Sequence, residues 1–88
     1  MKIIPIAKKV TKLKNDQILT VLTEKEIKKL VKKDRNFNSN PPFFISSMFK
    51  YCGMKAKIIN ASENDLCGID IDLNNHTWHI SYFKEYYL

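Results

Sequence analysis

Residues 54–80 read MKAKIINASENDLCGIDIDLNNHTWHI, and the alternation inside them decides the fold class. Met54, Ala56 and Ile58 alternate with Lys55 and Lys57, the two-residue period of a half-buried strand. Ser62, Glu63, Asn64 and Asp65 form a polar hairpin turn. Over residues 66–73, Ile69, Ile71 and Leu73 fall on one face and Asp70 and Asp72 on the other. Asn74 and Asn75 supply a second turn, and residues 77–80 return with Trp78 and Ile80 on a common face. Strands joined by short turns in this way predict an antiparallel meander.

Upstream, QILTVL at residues 17–22 is a short apolar run suited to a buried strand, and Asn15-Asp16 makes a turn ahead of it. Thr23 followed three residues later by Glu26 has the form of a capping box, so a helix is expected over residues 24–33. Ile27, Leu30 and Val31 lie on one face of that helix, and Lys25, Lys28, Lys29, Lys32 and Lys33 cover the remainder. Asn36, Asn38, Ser39 and Asn40 lead into Pro41-Pro42, a loop that ends helical structure. Next comes FFISSMFKYCG, the densest apolar stretch, read as core because a domain this small needs all the burial it can find. Gly53 is expected to turn the chain into the meander. Residues 1–16 are read as an arm or edge strand and residues 17–88 as the body of a single domain.

The composition is that of a globular chain: 44% hydrophobic and 27% charged residues in 88, with no apolar run long enough to span a bilayer. Ile3, Ile4 and Ile6 near the start are broken by Pro5 and followed by lysines, which is not the order of a secretory signal. The net charge of +6 is unevenly placed. Residues 1–36 hold eleven basic against four acidic side chains, and residues 37–88 hold four against five. The basic part is therefore a candidate contact for something acidic. Arg35 is the single arginine, which argues against base-specific DNA readout, and a positive chain is a poor mimic of DNA.

Chemical constellations are thin. Cys52 and Cys67 are expected to be reduced and buried, and with His76 and His79 they match no zinc-site spacing. Asp70, Asp72 and Asn74 open like a calcium loop, but Asn75 stands at the turn glycine and Ser81 where the bidentate glutamate belongs. Asp70 and Asp72 on one strand face lack a third group for acid–base work. No metal, cofactor or catalytic set is expected, and the chain reads as a non-enzyme. Trp78 and Phe83 are assigned to the core, whereas Tyr82, Tyr86 and Tyr87 are candidates for a contact surface, since phenols suit interfaces.

Met48, Tyr51-Cys52-Gly53, Ile58, Ile69, Asp70, Asp72, Trp78 and Phe83 together resemble the small Src-homology-3-like barrels of phages and prophages, over residues 43–86. Met54 in place of the usual lysine, His79-Ile80 in place of a second tryptophan and the long insertion after the first strand depart from that pattern. The resemblance implies a mainly β fold, a small antiparallel barrel, into which the amphipathic helix over residues 24–33 is inserted. It implies a phage-encoded protein in the cytoplasm of a bacterial host, a monomer or small homo-oligomer, that binds and inhibits or modulates a host protein such as a defence component. The candidate contact residues are Lys25, Lys28, Lys29, Lys32, Lys33, Arg35, Tyr82, Tyr86 and Tyr87. A basic nucleic-acid-binding accessory protein is the alternative that the lysines support, and a virion component a third.

Overall fold

The turn at Asn15 and Asp16, where Asp16 takes φ 71°, leads into the first strand, β1 (Ile18–Thr20). The computed structural model describes residues 9–39 and 41–88. Three more strands follow, β2 (Lys55–Ile59), β3 (Leu66–Ile69) and β4 (Trp78–His79), and the four form an antiparallel sheet in sequence order. Leu19 faces Ala56 across the first pair, Ile58 faces Ile69 across the second, and Cys67 faces Trp78 across the third. All six side chains are buried, so register and core are set by the same residues.

The sheet curls into a half-barrel. After β4, a 3-10 turn at Ile80–Tyr82 brings Phe83 back to bridge Val21 just beyond β1, while the Leu22 amide donates to the Tyr82 carbonyl at 2.9 Å. Trp78, Phe83, Tyr82, Ile58, Ile69 and Ile80 fill the interior, and Phe44 meets Trp78 and Tyr82 edge-on with ring centroids 5.7 and 5.2 Å apart.

Between β1 and β2 lies the helix α1 (Glu24–Lys33). The Thr23 hydroxyl accepts from the Glu26 amide at 3.2 Å, and the Glu26 carboxylate accepts from the Thr23 amide at 3.0 Å, the reciprocal capping expected from the sequence. Ile27 is the helix residue sunk in the core.

Several expectations are corrected. The apolar run at residues 17–22 is strand only over Ile18–Thr20. The third strand stops at Ile69 instead of running to residue 73: Asp70–Asp72 is a 3-10 turn, Leu73 is left-handed at φ 55° and 82% exposed, and Asp72 is buried. Alternation failed there because each aspartate is drawn to a specific donor. Asp70 Oδ1 accepts from the Lys57 amide at 2.8 Å and Asp72 Oδ2 from the Trp78 indole at 2.8 Å, so the two do not share a face. FFISSMFKYCG is a 3-10 helix over Ser46–Tyr51 with Phe44 and Met48 inside, but Phe43 and Ile45 stand exposed, as does Met54 of the alternating run. Of the arm at 1–16, residues 1–8 lie outside the described residues. Residues 9–16 form no strand, although Leu13 is buried and the Val10 amide donates to the Glu85 carbonyl at 2.8 Å.

Candidate binding surface

Helical spacing divides the basic residues of α1 between two sides. Glu26, Lys29, Leu30 and Lys33 follow one another at i, i+3, i+4 and i+7, so they form one stripe along the helix. That stripe faces the C-terminal 3-10 turn at Lys84–Tyr87 across a groove of about 440 Å³. Leu22, Leu30, Tyr87 and Leu88 give the groove an apolar floor, and Lys29, Lys33, Lys84 and Glu26 stand at its edge. Lys84 Nζ lies 3.5 Å from Glu26 Oε1, tying the two walls together. The Glu26 carboxyl is held below its ordinary range, chiefly by the Thr23 amide, with the Thr23 hydroxyl and the Lys84 ammonium adding to the effect against a partial loss of hydration.

The other lysines lie on the far side of the helix, and Lys29 borders both sides. Lys25, Lys28 and Lys32 share an exposed side with Glu24, which approaches Lys28 at 3.8 Å. Arg35 is exposed just beyond the capping residue Asp34. Of the three candidate tyrosines, only Tyr87 lines the groove; its hydroxyl donates to the Ser81 carbonyl at 2.7 Å, and burial pushes its pKa up to about 12. Tyr86 is half-buried, edge-on to Tyr87, with the Lys9 ammonium 5.8 Å from its ring centre. Tyr82 is not a surface residue: it is 2% exposed, its hydroxyl donates to the Pro42 carbonyl at 2.7 Å, and burial raises it to about 12. Its ring is needed in the core, packed between Phe37, Phe44 and Trp78.

A second constellation went unread in the sequence. Ser47 Oγ lies 2.8 Å from His76 Nε2, and His76 Nδ1 lies 3.0 Å from Asp72 Oδ2, the order of residue types found in serine hydrolases. Asp72 Oδ2 also takes the Trp78 indole, and Ser47 sits on the exposed side of a 3-10 helix. The three side chains join the Ser46–Tyr51 helix to the loop before β4.

Cys67 is buried in β3, where loss of hydration and the nearby Asp72 raise its thiol to about 12. Cys52 is a half-exposed free thiol, also raised by burial and by Glu24. Among the described residues no group of three potential ligands is placed to hold a metal ion, and no helix is long and apolar enough to cross a membrane. Family models, curated proteins and solved structures were each compared with the chain, and none matched.

Proposed function

We propose that this chain is a non-catalytic protein-binding module whose contact face is the groove between α1 and the C-terminal turn. The observation that carries this reading is the groove itself: the half-buried Leu30 of the helix and the exposed Tyr87 and Leu88 of the last turn meet there under a rim of lysines. The finer fold reading, a small Src-homology-3-like barrel, is supported by the strand order and by the return of Phe83 to Val21 through a 3-10 turn. The resemblance to phage and prophage barrels makes the partner a bacterial host protein, met in the host cytoplasm, and makes inhibition or modulation the consequence of binding.

The test is site-specific crosslinking in host lysate. A photoreactive side chain at Lys33 or Leu88 should capture the same protein, and one at Asn64 on the β2–β3 hairpin should not. Equal capture from all three positions, or none from any, would overturn the reading. Nucleic-acid binding is the second reading, favoured by Lys25, Lys28, Lys29 and Lys32 lying together in the open. It requires an affinity for labelled DNA or RNA that falls steeply with salt and is abolished when Lys28, Lys29, Lys32 and Lys33 are changed to Glu.

A further inference from the structure

We infer that the groove receives an acidic amphipathic segment of the partner protein, with an apolar side chain on the floor and carboxylates along the lysine rim. The inference rests on the protein-binding reading and adds the chemistry of what is bound. Its volume, about 440 Å³, falls inside the roughly 300–1,000 Å³ of pockets that hold side chains or small ligands. The side chains of Leu22, Leu30, Tyr87 and Leu88 carry no charge, so they favour an apolar group resting on them. The rim carries the opposite instruction. Lys84 is already engaged by Glu26, but among the described residues neither Lys29 nor Lys33 has an ion-pair partner, and both stand one helical turn apart beside the floor. A ligand with carboxylates spaced by about one turn, roughly 5 Å, would meet both ammonium groups at once.

The same features select against other polyanions. A nucleic-acid backbone needs a track of cations without interposed carboxylates, whereas Glu26 stands in this wall and the floor is mostly aliphatic. A fatty acid supplies one carboxylate where two lysines wait, and the groove is too open to enclose a long acyl chain.

The experiment follows the amide signals of the full chain by NMR during titration with three synthetic peptides: one in which Leu and Phe are flanked by Asp and Glu, the same peptide with Leu and Phe changed to Ala, and the same peptide with its acids changed to Lys. Laurate and a poly-thymidine oligonucleotide are titrated in parallel. The acidic amphipathic peptide should shift Lys29, Leu30, Lys33, Tyr87 and Leu88, and the two altered peptides should do so far less. The exposed double substitution Lys29→Glu with Lys33→Glu should weaken its binding about tenfold without changing the unbound fold. Peptide binding indifferent to that substitution, or laurate or oligonucleotide shifting these residues more strongly, overturns the inference. If the basic peptide shifts them instead, the acidic ligand is wrong while the groove remains a protein-docking face. If no peptide of either charge shifts them and the crosslinks from Lys33 and Leu88 recover nothing, both readings fall together.

Discussion

At the residue scale the most constrained side chain is Asp72, which is 1% exposed and gathers the Trp78 indole and the His76 imidazole on one oxygen. Its other oxygen, Oδ1, finds no hydrogen-bond partner among the described residues, so the bonds they make to Asp72 run through Oδ2. Removing the acceptor leaves a buried indole N–H unpaired, which costs roughly 1–3 kcal/mol on top of the lost packing. Asp72→Ala should therefore lower stability in urea by about 3 kcal/mol, Asp72→Asn by clearly less because an acceptor remains, and Ser47→Ala by under about 1 kcal/mol because Ser47 is exposed. A serine-directed fluorophosphonate should label none of these proteins; labelling of Ser47 that vanishes on His76→Ala would show that Ser47 is a working nucleophile instead. None of this was legible in the sequence, where Asp72 read as the polar face of a strand. Alternation reports which way a side chain points only while the backbone stays extended, and at Asp70 it does not.

At the element scale α1 was the most legible part, because everything that defines it is local. The capping pair Thr23 and Glu26, the apolar positions and the polar loop after it lie within a few turns of one another, and the helix runs Glu24–Lys33. Thr23→Ala should cost about 1 kcal/mol, read as a lower urea midpoint with loss of helical circular dichroism. Glu26 adds a pH dependence of known sign. Its folded pKa lies below the ordinary 4.5, so its contribution is present above that value and is lost as pH falls through the lower folded value. Glu26→Gln should flatten the acid limb of the stability curve; an acid limb identical to the parent's would mean that the cap carries no linkage. The groove, by contrast, joins residues 22–33 to residues 84–88, and no pattern within either segment announces the other. Sequence reasoning found Lys29, Lys33 and Tyr87 as surface candidates, missed Lys84, Leu22 and Leu88, and placed Tyr82 outside when the core required it. Aromatic residues divide between core and surface only once the packing partners are known.

At the scale of the whole molecule, stability depends on closure of the curled sheet, since Val21 and Phe83 join the two ends of the chain's main body and both are fully buried. The strands themselves are only two to five residues long, too short to persist without one another. Unfolding should accordingly be a single cooperative event that exposes every buried group together. That gives alkali a defined effect. The Cys67 thiol, ordinarily titrating near 9, and the Tyr82 and Tyr87 phenols, ordinarily near 10, are all raised to about 12 by burial. The unfolded chain thus releases these protons between about 9 and 12 while the folded chain retains them. Their contribution to stability is fully present below the unfolded values and is lost as pH rises toward 12. The urea midpoint should fall progressively over that window, and the tyrosinate absorbance of Tyr82 and Tyr87 should appear together with loss of the near-ultraviolet signal from Trp78. Tyr87→Phe removes one of the three ionisations and should make the decline shallower. Should the buried Tyr82 instead titrate near its ordinary value with Trp78 still in its native environment, the interior is open to water and the curled sheet does not enclose a single core.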